Sequence, residues 1–245
     1  MATDPTTSIS TLSLNDNDDP LLKPVSFGRS MRETHFSFAP TYNNLNHGSF
    51  GAYPKYVLRR LRELQDQCEA RPDVFIRYDY PKLLDDSRAA VASYLAVPVD
   101  DVVLVPNASV ATNIVLRNLK YKRGDVIVHF STVYGAVAKL VDSVKETTVV
   151  ESVIVDLVYP VNDDTVVDAF VNAIKSIKQG GKNPRIAIFD TVSSMPGVRM
   201  PQERLVAVCK DEGVLSIVDA AHGAGHLDLK IAAVDPDFLV TNLHK

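Results

Sequence analysis

The chain has 245 residues, 46% hydrophobic and 23% charged, with a formal net charge of −4; this composition suits a soluble globular core. The mild acidity and the lack of any Lys/Arg-rich run argue against nucleic acid as a partner. No apolar run nears the ~20 residues that span a bilayer, so no membrane partner is expected. Two cysteines, Cys68 and Cys209, give no disulfide framework and point to a reducing, cytoplasmic setting.

The first 26 residues carry Asp4, Asp16, Asp18 and Asp19, a single lysine and no arginine. That pattern fits neither a secretory signal nor an Arg-rich transit peptide, although the Ser/Thr content leaves organelle targeting open. The stretch reads as a disordered tail, taken to residue 35 as the first of three segments. The second, residues 36–100, opens with an irregular Asn/Gly/Pro/Tyr-rich stretch over Phe36–Pro54. A helix is expected over Pro54–Ala70, ended by Pro72, and a second over Lys82–Ala96.

The third segment, residues 101–245, alternates. Short apolar runs at Val102–Val105, Asp125–Phe130, Val149–Val155, Arg185–Asp190, Val214–Asp219 and Phe238–Thr241 predict strands. Helical patterns fall between them, from about Ala111, over Ala136–Lys145, Asp164–Gln179 and Gln202–Glu212. The third helix sets Val167, Phe170, Val171, Ile174 and Ile177 on one face. The implied fold class is α/β, a mostly parallel sheet sandwiched by helices. Ligands of such sheets sit beyond the carboxyl ends of the strands.

Three polar clusters lie where strands run out. Asn107-Ala-Ser-Val-Ala-Thr-Asn113 joins a strand to a helix, and a helix N-terminus suits a phosphate as well as an ordinary N-cap. Ser-Ile-Val-Asp219-Ala-Ala-His222-Gly ends a strand on an acid, which would serve either a turn or a protonated pyridine nitrogen. His222 and His226 also have helical zinc spacing, but Gly223 and Gly225 weaken that helix and no third ligand is visible. A dinucleotide loop at Gly223-Ala-Gly225 lacks its third glycine, position 228 being Asp. Thr241-Asn-Leu-His-Lys245 would supply a Schiff-base amine or only a solvated charge. Each cluster alone has the plainer explanation; the ordered combination does not.

With Leu45-Asn-His-Gly-Ser-Phe-Gly51 and Asp190-Thr-Val-Ser-Ser-Met-Pro-Gly197 added, the set resembles the class V aminotransferase-like family of pyridoxal-phosphate enzymes. The nearest branch is that of isopenicillin N epimerase-like proteins and plant L-cysteine desulfhydrases. The likeness covers roughly residues 40–245. It implies the large domain of fold type I, pyridoxal 5′-phosphate as cofactor, a small amino acid as substrate and a homodimer. It also implies that the chain stops at the Schiff-base lysine, leaving the large domain incomplete and the C-terminal small domain absent.

Carried over by the resemblance, Lys245 is the Schiff-base lysine and Asp219 pairs with the pyridine nitrogen. His222 lies near the ring hydroxyl, with Ser194 a second candidate for that contact. Ala108, Ser109 and Val110 bind phosphate through backbone N–H groups, and Asn242 stands where relatives place a phosphate-binding serine. Tyr134 matches an aromatic that stacks on the ring, its alternative being a plain core tyrosine. Asn46, His47 and Gly48 match a loop at the substrate entrance. Arg77 matches a recurrent basic position of underived role. Ser109-Val110 departs from a more usual Thr-Thr, and Thr191-Val192 from a common His-Ile/Val. Cysteine desulfhydration to pyruvate, ammonia and sulfide is the expected activity. The alternatives are an epimerase or aminotransferase, and an inactive truncated paralogue that binds cofactor or a full-length partner. No metal is expected.

Overall fold

The computed structural model describes residues 19–245; most of the expected tail lies outside them. Within its remainder, Pro20–Leu22 is a 3-10 turn capped by the Asp19 side chain, and Arg29–His35 forms helix α1. Helical structure therefore begins inside the stretch read as tail. The described residues fall into two units, one reaching Pro81 and including His244, the other comprising Lys82–Leu243 and Lys245.

In the first unit, Arg32 donates to the Ala39, Pro40 and Tyr42 carbonyls, which fixes the chain after α1. Helix α2 spans Lys55–Ala70. Pro72 does more than end it. It opens a new turn, α3 (Pro72–Val74), because a proline at the first helical position lacks only an amide that would be unpaired anyway. A π-helical turn over Phe75–Asp79 follows and carries Arg77. Helix α4, Tyr80–Leu95, then leads into the second unit.

That unit is a three-layer α/β structure. After α5 (Ala108–Asn118) the elements are β1 (Asp125–Phe130), α6 (Gly135–Thr147), β2 (Glu151–Val155), α7 (Asp163–Gln179), β3 (Asn183–Asp190), α8 (Gln202–Glu212), β4 (Leu215–Ala220), the short α9 (Ile231–Val234) and β5 (Phe238–Thr241). All five strands are parallel, in the order β2-β1-β3-β4-β5. Alternation along the strands splits the core. Val126, Val128, Phe130, Ala187, Phe189 and Val218 meet α7 and α8, with the Phe170 ring 5.8 Å from that of Phe130 and 6.1 Å from that of Phe189. Ile127, Ile186, Ile188 and Ile217 face Leu116 of α5 and Val137, Val141 and Val144 of α6. Burial on both faces is why these strands read as nearly continuous apolar runs.

One expected strand does not form. Val102–Val105 joins no ladder among the described residues, and Val103 is 76% exposed. Its sequence has strand character, but a strand exists only where a neighbour accepts its hydrogen bonds, and that neighbour is not encoded locally.

Helix ends follow their chemistry. Asn107 caps α5, its Oδ1 accepting from the Val110 amide at 2.9 Å, and Asn162 caps α7 likewise through Thr165. Gly213 closes α8 in the left-handed region at φ 67°, where a side chain would be strained. Replacing Asn107 with Ala leaves the first-turn amide of Val110 unpaired, and we expect urea denaturation to show a loss of about 1 kcal/mol.

Candidate functional site

The chain order reverses across the sheet at β1, with β2 on one side and β3 on the other. Open α/β sheets bind ligands beyond the carboxyl ends of their strands, near such a switch point. The loops after β1, β3, β4 and β5 and the start of α5 supply most of the residues expected at a site.

Asp219 lies one residue before the end of β4 and is 4% exposed. Its Oδ1 accepts from the Ala221 amide at 2.9 Å. Burial raises its pKa above the ordinary carboxylate value, against the opposing pull of that amide and of Lys245. The chain then turns tightly at Gly223, where a Cβ would stand 2.8 Å from Leu229 and 2.9 Å from Ala220. This turn brings His222 back toward the strand end. Lys245 lies beyond β5 with its Nζ 3.5 Å from His222 Nε2. Partial burial, then the charge of Lys245 and then that of His226 lower the pKa of His222, so the imidazole is neutral at neutral pH. Asp219, His222 and Lys245 thus lie close together.

The start of α5 is tied to the end of β5. Asn242, 8% exposed, accepts from the Ala108 amide through its Oδ1 at 3.2 Å. The Val110 amide is already held by Asn107. Of the three amides expected to hold phosphate, only that of Ser109 keeps no hydrogen-bond partner among the described residues. Asn242 therefore acts here on the protein's own backbone, and its side chain must move before Ala108 can donate to an anion.

Tyr134, just before α6, is 48% exposed, so it is not the core tyrosine of the alternative reading. Ser194 is exposed within the β3–α8 connection and makes no side-chain hydrogen bond among the described residues. That connection is instead held by an antiparallel bridge between Val192 and Arg199 and by Ser193, which donates to the Pro196 carbonyl. Asn46, His47 and Gly48 belong to the first unit. There the His47 ring packs edge-on against Phe36 at 5.7 Å, and the Asn46 carbonyl accepts from the Ser49 and Phe50 amides.

His222 and His226 lie on successive turns, not on a helix, and among the described residues no group of three His, Cys, Asp or Glu is placed to hold a metal. Cys209 is fully buried, and burial pushes its thiol up to about 12, followed by the effect of Asp237; it is inert at neutral pH. No helix among the described residues is long and apolar enough to cross a membrane.

Asp190 is the residue that sequence reasoning left without a role. It ends β3 in register with Asp219 on β4 and is 7% exposed. The signal was available, since two apolar runs, Ile-Ala-Ile-Phe-Asp190 and Ser-Ile-Val-Asp219, both close on an acid.

The chain is similar to known proteins over most of its length. An L-cysteine desulfhydrase-like protein of Epichloe uncinata is 35% identical over 91% of this chain and 49% of its own length. A probable chloroplastic L-cysteine desulfhydrase of Arabidopsis thaliana is 34% identical over 91% of this chain and 49% of its own length. The chain thus spans about half the length of these curated relatives. A solved cystine C–S lyase in complex with cysteine persulfide superposes with a TM-score of 0.74 at 20% identity, over 82% of this chain and 52% of that one, and so shares the fold. The model of the aminotransferase class-V family matches residues 55–245, and the chain belongs to that family.

Proposed function

We propose that this protein is a pyridoxal-phosphate-dependent lyase that removes sulfide from L-cysteine, leaving pyruvate and ammonia. The single observation that carries the proposal is the grouping of a buried strand-end carboxyl, a neutral imidazole and a lysine amine, Asp219, His222 and Lys245, at the carboxyl edge of a parallel sheet. The desulfhydrase names of the relatives supply the reaction, and the family supplies the cofactor.

The residues suit that cofactor chemically. Asp219 offers an acceptor whose burial disfavours a bare charge, so a cationic ring nitrogen is its natural partner. The Ser109 amide and hydroxyl at the start of α5 offer donors to a phosphate, and Tyr134 offers an accessible ring face. When bound, pyridoxal phosphate supplies an electron sink for charge developing at the substrate Cα. Lys245 would hold it covalently and, once released, take the Cα proton onto Nζ. Neutral His222, 3.5 Å from that nitrogen, would share the proton and steady the amine. Asn242 would release Ala108 as the anion arrives. The same reading proposes a cytoplasmic homodimer, to be checked by light scattering on the cofactor-loaded protein.

Borohydride reduction after incubation with pyridoxal phosphate, followed by peptide mass analysis, tests the proposal. A pyridoxyl group on the peptide ending in Lys245, together with sulfide release from cysteine, is the expected result. An adduct scattered over exposed lysines and no sulfide would remove both cofactor and reaction.

A further inference from the structure

The carboxyl of Asp190 lies outside every role assigned above. In-register neighbours on parallel strands project to the same side of a sheet, so Asp190 and Asp219 stand side by side above the Ile188 and Ile217 layer. Both are more than nine-tenths buried. Their environments differ in charge. Each has one backbone donor, the Ala221 amide at 2.9 Å for Asp219 and its own amide for Asp190, but only Asp219 feels the charge of Lys245.

The other charged groups on this side leave Asp190 without a counterion. From β1, His129 lies one step back in register with Ile188, its Nδ1 3.1 Å from the Phe130 carbonyl. Helices α5 and α6 cover this face, and their charged residues Arg117, Lys139, Asp142, Lys145 and Glu146 are all exposed. His222 is neutral, and the Lys245 ammonium stands with His222. Two buried carboxylates side by side cannot both stay ionised, and the one without an opposite charge beside it takes the proton.

We propose that Asp190 is a positioning residue that holds a proton at neutral pH, so that the pair carries one charge and Asp219 bears it. This deepens the function proposed above and rests on it for its purpose. A neutral Asp190 leaves Asp219 as the single anionic acceptor for a protonated ring nitrogen, without a competing charge beside it. Burial first, and then Asp219, push the Asp190 carboxyl up to about 8, which sets the pH at which the arrangement ends.

Infrared spectroscopy of the cofactor-free 245-residue chain reads this directly, since a protonated carboxyl has a carbonyl stretch distinct from carboxylate and amide bands. At pH 7 the unmutated chain should show that band, it should shift on carboxyl-13C labelling of aspartate, and it should vanish as the pH passes about 8. The isosteric Asp190→Asn should abolish the band and Asp219→Asn should keep it, titrating at lower pH. Labelling the unmutated chain tests for the proton even if a variant misfolds. No labelled band at pH 7, or a band lost in Asp219→Asn and kept in Asp190→Asn, overturns the proposal. The two readings fail separately: a band without a Lys245 adduct removes the cofactor and leaves the shared proton, and an adduct without the band does the reverse.

Discussion

Replacing Lys245 with Ala is expected to reduce sulfide release from cysteine by at least about a thousandfold, because one side chain would serve as both the covalent tether and the base. A positioned base alone contributes roughly 10²–10⁴-fold, and the Ala variant also forfeits the tether. Lys245→Arg should be as inactive as the Ala variant, because a guanidinium keeps its proton above pH 12 or so and is not a nucleophile. An added small primary amine should restore part of the Ala variant's rate and none of the Arg variant's, whose side chain still fills the space. His222→Gln should cost less, about tenfold, since it touches the amine at 3.5 Å without replacing it. Turnover within tenfold of the parent in Lys245→Ala would end the assignment, whatever the adduct mapping gives.

The elements that organise this site were legible to different degrees. The bounds of β1, α8 and β5 coincide with those read from the sequence, because each is an apolar run or amphipathic stretch closed by a local breaker. Pro72 is both a stop and a start, since its missing N–H and its ring end the preceding helix while its fixed φ suits the first turn of the next. Val102–Val105 failed because a strand depends on its neighbour. The same kind of non-locality hid the most informative contacts. Asn242 and the Ala108 amide lie 134 positions apart, and no local pattern announces that an asparagine will satisfy a backbone donor on a distant helix. Likewise each of Asp190 and Asp219 is visible as an acid ending a strand, but their adjacency follows from β3 and β4 being neighbours in register. Motif order placed Asp219, His222 and Lys245 together; the sheet added Asp190.

That adjacency should be measurable as a dependence of stability on pH. Asp190 has an ordinary carboxyl value of 3.8 when exposed and about 8 in the fold. Between these limits the folded chain holds a proton that the unfolded chain has released, so stability falls as pH rises. At ~1.4 kcal/mol per unit the upper bound is roughly 6 kcal/mol, and water entry and relaxation should reduce the observed loss to about 2–3 kcal/mol between pH 5 and pH 8. Asp219 is raised in the same sense and adds to the slope. His222 opposes it, because its lowered pKa makes the fold gain stability as pH rises through the ordinary histidine range. Tyr121 and Cys209, each pushed up to about 12 mainly by burial, act only above this window. Urea denaturation of the 245-residue chain at several pH values should therefore show a decline from pH 5 to pH 8 that is flatter by about 2–3 kcal/mol in Asp190→Asn. The comparison of slopes matters more than either absolute stability, since a buried asparagine amide carries its own cost at every pH. Parallel profiles for the two chains would mean that Asp190 ionises in the fold as it does in water, and the strand-end pair would carry two charges at neutral pH. A decline confined to the unmutated chain would tie the fold's pH sensitivity to the proton beside Asp219, at the point where the sheet would meet its ligand.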